Sequence, residues 1–270
     1  MKLNAGHFYG KTSQTMSANG FRFTEKTYSS TSRLPGHSHE LAHFCFVLRG
    51  NYHETIGSRT FGREPMSLVF YPSDVSHAED HLTDGRHFLV EIDLASLERV
   101  SEYGARLNEP VTLGTDSQMG LAGRMYREFR ERDRFSALAL ECISNELLIA
   151  ASRKLSSASE RRPPQWLETV KEYLRENYSE QVGLTELALA AGVHPTHLAR
   201  VFRQFERCTA GDYVRAVRIR NAQKRLLLSK QPLADIALDA GFADQTHFTR
   251  SFKRVTGMTP SEFRRLFATR

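Results

Sequence analysis

Apolar positions along this chain change their spacing twice, and each change predicts a different kind of element. From Phe21 to Leu94 they come in short bursts such as "HFCFVLRG" (His43 to Gly50) and "MSLVFYPSDVSH" (Met66 to His77), rich in Phe and Val and punctuated by Gly, Pro and Asp. Short runs with turn residues close behind predict strands of a sandwich or barrel. Between Gln118 and Lys154 the residues Met125, Phe129, Leu138, Ile143, Leu147 and Leu148 recur at helical spacing, with a break at "ERDRF" near Asp133. That pattern predicts a pair of helices. "SSASERRPP", Ser156 to Pro164, is small and polar and ends in two prolines, the composition of a linker. Beyond it the helical period returns.

The last third contains one pattern twice. "GFADQTHFTRSFKRVTGMTP" (Gly241 to Pro260) has a worn counterpart in "GVHPTHLARVFRQFERCTA" (Gly192 to Ala210). Leu184, Leu187, Ala188 and Gly192 match Leu233, Ile236, Ala237 and Gly241 at one offset; Thr196, His197, Arg200, Phe202 and Thr209 match Thr246, His247, Arg250, Phe252 and Thr259 at an offset one residue longer. Solenoids need about three copies to bury a core, so two copies indicate a duplicated module. In each copy a short apolar helix, started near Thr185 or Pro232, stops at a glycine and a second amphipathic helix follows, the helix-turn-helix arrangement. Leu198, Val201 and Phe202, or Phe248, Ser251 and Phe252, turn to the core. "DYVRAVRIRNAQKRLLL" (Asp212 to Leu228) lacks Gly and Pro and predicts one long connecting helix, able to hold two reading helices roughly 34 Å apart on successive major-groove faces.

Charge sharpens this picture. The chain carries a net charge of +6, and the whole excess lies from Gln165 onward, where 17 Lys and Arg face 11 Asp and Glu. A basic balance confined to one domain is the footprint of a polyanion partner. No apolar run approaches a membrane span and the N-terminus has no signal-peptide core, so a cytoplasmic protein is expected, without a membrane partner. Cys45, Cys142 and Cys208 have no CxxC spacing and are expected as buried free thiols.

Residues 165 to 268 resemble the DNA-binding domain of the AraC/XylS family of transcriptional regulators. "GFADQTHFTRSFKRVTGMTPSEFR" (Gly241 to Arg264) matches the family signature almost throughout, and "YVRAVRIRNAQKRLL" fits its connecting helix. The first copy departs at Arg207, where the second has Gly257, and at His194, a position often held by serine. The resemblance implies double-stranded promoter DNA as a partner, with Thr196, Ala199 and Arg200 of the first helix and Gln245, Thr246, Thr249 and Arg250 of the second facing bases. It places His194, Arg203 and Lys253 at phosphates. RNA polymerase is a further partner if the protein activates.

The front end is rich in histidine. His37, His39 and His43 are separated by even numbers, so an extended strand turns all three to one face; a barrel would aim that face inward, where His77 from another strand joins them. His37-x-His39, His43, Gly50 and Pro72-x-Asp74-x-x-His77 resemble a cupin barrel, the usual sensing domain of this family. In metal-binding cupins the position of His43 is typically glutamate. Four imidazoles suit a divalent transition metal such as Zn, Ni, Cu or Fe; the alternative is that they line a pocket for an organic small-molecule effector. His7, His53, His81 and His87 are expected on the surface or in loops, and Glu40 on the opposite face of the strand from His39. The class expected is α+β: residues 1–117 a cupin-like barrel, 118–155 a helical pair forming a homodimer contact or packing on the barrel, 156–164 a linker, and 165–270 an all-α domain with two helix-turn-helix motifs. A ligand-controlled regulator, not an enzyme, is the expectation. The rival is a metal-dependent cupin enzyme fused to a DNA-binding domain, for which the carboxylate of a 2-His-1-carboxylate site is missing from its usual place.

Overall fold

Strands dominate as far as Leu113. In chain order they are β1 (Lys2–Leu3), β2 (Lys11–Ala18), β3 (Phe21–Tyr28), β4 (Arg33–His39), β5 (Ala42–Arg49), β6 (Tyr52–Ile56), β7 (Arg59–Arg63), β8 (Leu68–Tyr71), β9 (His77–His81), β10 (Gly85–Ile92) and β11 (Val111–Leu113). The computed structural model describes residues 1–104, 107–114, 116–158, 163–206 and 208–267. These fall into two compact units, Met1–Ser159 and Glu160–Arg270.

The strands of the first unit pair into two sheets, in the orders β1-β4-β9-β6-β7 and β11-β8-β5-β10-β3-β2. The β-rich domain expected as a sandwich or barrel is present as two sheets, and among the described residues no ladder joins one sheet to the other. Side-chain rings fill the space between them: His39 of the first sheet lies 4.5 Å from His43 of the second, and Tyr28 stacks on His81 at 4.4 Å, both between ring centroids. The other face of the six-stranded sheet is covered by helices. After the short α1 (Leu94–Ser101) come α2 (Asp116–Glu131) and α3 (Ser136–Ala158). Phe129 and Tyr126 of α2 lie 4.8 and 5.3 Å from Phe88 of β10, and the Tyr126 hydroxyl donates to Glu25 of β3 at 2.6 Å. Leu140, Ile143, Leu147 and Leu148 of α3 are buried. Leu138 is exposed instead, and so is Cys142, against the expectation of a buried thiol. Helix α3 continues through Ala158, over the first residues of the stretch that reads as a linker, while residues 159–162 of that stretch lie outside the described residues.

The second unit is helical: α4 (Gln165–Glu176), α5 (Leu184–Ala190), α6 (Pro195–Glu206), α7 (Ala210–Leu228), α8 (Leu233–Asp239), α9 (Gln245–Thr256) and α10 (Pro260–Phe267). The duplication is visible in the caps. Thr209 and Asp212 form a capping box at the start of α7, and Thr259 with Glu262 exchange the same bonds at the start of α10, one repeat later. Leu198, Val201 and Phe202 are buried against α4 and α5, and Phe248, Ser251 and Phe252 are buried likewise in the second copy.

Arg218, on α7, ties the two copies together. Its guanidinium donates to the carbonyls of Tyr178 at 2.6 Å and Glu180 at 2.9 Å, ahead of the first copy, and to that of Gly241 at 2.6 Å, in the turn of the second. The backbones meet so closely there that a Cβ on Gly241, whose φ is +82°, would lie 2.6 Å from the Ser179 carbonyl oxygen. The equivalent Gly192 also has positive φ, at +65°, but faces open space. Gly192→Ala should therefore cost about 1 kcal/mol from backbone strain, and Gly241→Ala about 2 to 4 kcal/mol because overpacking against backbone is added. Urea unfolding followed by the emission of Trp166, the single tryptophan and a residue of this unit, measures the difference; equal losses would remove the close approach as its cause.

Candidate nucleic-acid interface and histidine site

Each second helix of a repeat turns one face to its core and the other to solvent. On α6, Thr196, Arg200 and Arg203 are exposed and Ala199 is half-buried; on α9, Gln245, Thr246, Arg250 and Lys253 are exposed and Thr249 is half-buried. The helix starts differ. Asp244 caps α9, its carboxylate accepting from the His247 amide at 2.7 Å, and α9 ends on Gly257 in the left-handed conformation. In the first copy the exposed His194 takes the capping place, with Nδ1 2.7 Å from the Thr196 hydroxyl and Pro195 in the first turn. Arg207 lies outside the described residues. A groove of about 490 Å³ in this unit is lined by Ala199 and Arg203 of α6, Arg215 and Arg218 of α7, and His247 of α9.

In the first unit His37, His39, His43 and His77 all enter the space between the sheets and are buried, but not from one strand face as expected: a turn separates His37 and His39 on β4 from His43 on β5, which belongs to the other sheet. His37 and His77 face each other in register, with ring centroids 4.4 Å apart. Donor nitrogens of His37, His39 and His77 all lie within 4.8 Å of one another. His43, on the other sheet, stands against this trio through its ring, 4.5 Å from His39 and 6.4 Å from His77 between centroids. The Nδ1 atoms of His37 and His77 face the carbonyls of Pro35 at 2.9 Å and Val75 at 3.3 Å, which leaves Nε2 as the free donor on both rings. Burial lowers the pKa of each, that of His39 to about 3, helped by the neighbouring His77 and His37; His43 is held well below its ordinary value for the same reason. Neutral imidazole is the metal-binding form. The cavity that these rings line together with Phe8, Tyr9 and Glu79 has a free volume of about 10 Å³, room for one ion or one water. The residues present therefore fit a metal ion.

Four interior residues escaped the sequence reading. His81 and His87, expected on the surface or in loops, are buried: Tyr28 and Tyr52 pack on both rings, and His87 Nδ1 lies 3.9 Å from Cys45 Sγ. His7, His53 and Glu40 are exposed. Two carboxylates also enter the interior. Glu79 Oε2 is 3.0 Å from His81 Nε2 and Oε1 is 3.8 Å from His77 Nε2; burial would raise its pKa, but the hydrogen bond from His81 and the surrounding imidazoles hold it below the ordinary value. Glu54 is completely buried, with Oε2 accepting from Arg63 Nε at 2.8 Å and from the Tyr71 hydroxyl at 2.8 Å. The available signal was alternation, of Glu79 with His77 and His81 along β9 and of Glu54 with Tyr52 and Ile56 along β6.

Two helix-turn-helix copies with basic, solvent-facing second helices, joined by one long helix, define a DNA-binding domain of the duplicated type. The family model described as a helix-turn-helix domain matches residues 187–266. The probable transcription factor PqrA of Proteus vulgaris is 40% identical over 99 residues, covering 37% of this chain and 77% of that one. The activator RhaR of Escherichia coli is 24% identical over 245 residues, covering 85% of this chain and 86% of its own. The bifunctional transcriptional activator and DNA repair enzyme AdaA of Bacillus subtilis is 30% identical over 115 residues, 42% of this chain; the chain spans 54% of its length. The chain belongs to the AraC-type helix-turn-helix family of transcriptional regulators. No described helix is long and apolar enough to cross a membrane.

The buried histidines set a pH dependence. His87 is lowered by burial to about 4 and His39 to about 3, whereas in an unfolded chain both protonate near 6.5. Below that value the unfolded state binds protons that the fold refuses. Stability present above pH 6.5 is thus lost as pH falls toward 4 and then 3, at up to about 1.4 kcal/mol per pH unit for each ring. In metal-free protein the strand circular dichroism should collapse with acid before the Trp166 emission changes. A first unit equally stable at pH 6.5 and 4.5 would contradict the buried neutral rings.

Proposed function

We propose that the protein is a metal-responsive transcriptional regulator: the second unit binds promoter DNA through α6 and α9, and a divalent transition-metal ion held by His37, His39 and His77 is the effector. The observation that carries the effector class is the trio of buried imidazoles, whose ligand nitrogens lie within 4.8 Å of one another around a small cavity. When bound, the ion would supply a fixed cross-link between β4 and β9. His43 and Tyr71, packed over the trio at 5.0 Å from each other, exclude water from it. The same crowding disfavours the cupin-enzyme alternative, whose substrate would need a place beside the metal.

On DNA, Thr196, Ala199, Arg200, Gln245, Thr246, Thr249 and Arg250 face bases, and His194, Arg203 and Lys253 face phosphates. Arg203, Arg215 and His247 around the groove favour a phosphate backbone crossing between two major-groove contacts. A homodimer contact is supported by the outer face of α3, where Leu138, Cys142 and Ile149 form one exposed stripe at helical spacing.

Three measurements test these readings. Elemental analysis of untagged protein should find near-stoichiometric metal that is lost in His39→Ala; metal retained in the variant would refute the trio as its site. Arg250→Ala should cost about 1 to 3 kcal/mol at a specific site and relax one base position, while Lys253→Ala should weaken all sequences alike and lower the salt slope; equal effects of Arg250→Ala on specific and random DNA would sink the assignment. Sedimentation of Ile149→Glu should show a shift toward monomer, and an unchanged dimer would move the contact elsewhere.

A further inference from the structure

We propose that the interior of the first unit offers a divalent ion two alternative ligand sets that share His77: an imidazole set with His37 and His39 on one side, and a carboxylate set with Glu54 and Glu79 on the other. The inference rests on the metal-sensing reading and extends it to which ions are told apart.

The carboxylate set follows from register. Strand β9 turns His77, Glu79 and His81 inward, and β6 turns Tyr52, Glu54 and Ile56 inward, with Glu54 directly opposite Glu79. Like charges in that position repel, and out of water the repulsion is strong. The Glu54 side chain is 0% exposed and that of Glu79 11%. Glu54 is half satisfied: Arg63 and Tyr71 both bond to Oε2, while Oε1 has no hydrogen-bond partner. Among the described residues Glu79 has only His77 and His81 as ion-pair partners. One donor atom from each of Glu54, His77 and Glu79 lies within 4.8 Å of the other two. A bare buried oxygen, a carboxylate pair short of positive charge and a free imidazole nitrogen together make a cation locus. Arg63 offsets one of the two negative charges, so the locus keeps about one for the ion.

The two sets exclude each other. His77 Nδ1 is occupied by the Val75 carbonyl, so its single free nitrogen serves one ion at a time. Three imidazoles suit Ni, Cu or Zn, and one imidazole with two carboxylates suits Mn or Fe(II). Because β9 lies between β4 and β6 in the sheet, a nitrogen-seeking ion braces β9 to β4 and an oxygen-seeking ion braces it to β6. Two ion classes would thus stiffen different halves of one sheet.

The experiment is calorimetric titration of untagged full-length protein with nickel(II) and with manganese(II), repeated on His39→Ala and Glu79→Gln. His39→Ala should weaken nickel roughly 10- to 100-fold and leave manganese within about twofold, with Glu79→Gln doing the reverse. In the wild type, nickel should displace manganese one for one, read as release of the free manganese signal in electron paramagnetic resonance. If Glu79→Gln does not fold, His39→Ala decides: nickel weakened with manganese unchanged supports two sets, and both weakened alike overturns them. Nickel binding without manganese binding, both ions bound together, or a Glu79→Gln variant that weakens both ions alike would overturn the inference and leave the metal-sensing reading standing. Failure of both ions to bind the wild type would remove the two together.

Discussion

The first unit is governed by the desolvation of polar side chains between two sheets. A sandwich ordinarily fills that space with aliphatic groups and sends its charges outward. Here the inward positions of β4, β6 and β9 are His37, His39, Tyr52, Glu54, His77, Glu79 and His81, and the facing sheet adds Tyr28, His43, Tyr71 and His87. Such a set is tolerable only if the rings are neutral and the carboxylates are partnered. Burial meets the first condition for His37, His39, His43, His77 and His87, which it lowers; the second is met in part, since Arg63 and Tyr71 bond to Glu54 Oε2 and His81 to Glu79 while Glu54 Oε1 stays bare. Apolar stabilisation comes from the other side of the six-stranded sheet, where Phe23 and Phe88 stack on each other and Tyr126 and Phe129 of α2 pack against Phe88.

The second unit solves a different problem, holding two similar modules at a fixed separation. A long helix alone would set a distance but leave the modules free to roll about it. Arg218 removes that freedom by binding carbonyls from both sides of α7 in one planar fork, and the glycine at 241 allows the backbones to come near enough for it to reach. A lysine also has three donors, but all on one nitrogen, whereas these three carbonyls are met by Nε and both Nη atoms. The repeated Thr-x-x-Asp and Thr-x-x-Glu boxes fix where the helix after each reading helix begins.

Much of this was legible in the sequence because period and burial agreed. The helix-turn-helix copies show the correspondence of Phe202 with Phe252 and Leu198 with Phe248, and all four are core. His37 and His39 were found by parity of two and His77 by the later Pro-x-Asp-x-x-His pattern, whereas His43, read onto the same strand, reaches the cluster from β5 of the facing sheet. The same rule applied to "HAEDH" would have taken Glu79 and His81 inward with His77, but the usual reading sends charged residues to solvent, and a polar interior inverts it. His87 was hidden for another reason: every residue of β10 is buried, since helices cover one face and the facing sheet the other, so alternation leaves no trace in accessibility. Sheet pairing, and hence the separation into two sheets, depends on long-range hydrogen bonds that local pattern does not encode. Leu138 fits a helical stripe as well as Ile143 does, yet faces outward, because α3 has apolar residues on two faces and only one meets the sheet.

That last asymmetry bears on how an ion could be felt beyond its site. His37, His39 and His77 belong to the five-stranded sheet, whereas α2 packs on the six-stranded one. A ligand shifts a conformational equilibrium only through contacts that differ between its states. An ion bound to the trio therefore acts on the helices through the rings that bridge the sheets, and those nearest the trio are His43 on β5 and Tyr71 on β8, at 4.5 Å from His39 and 5.3 Å from His77. Tyr71 in turn bonds to Glu54, which is fixed by Arg63, and Arg63 reaches Thr112 of β11 at 3.2 Å; the carbonyl of that residue accepts from Lys154 of α3. The chain of direct bonds from the interior to the far end of α3 thus runs along the carboxylate side of His77. Ions that engage Glu54 would pull on this chain directly, and ions held by the histidines alone would reach it only through ring packing.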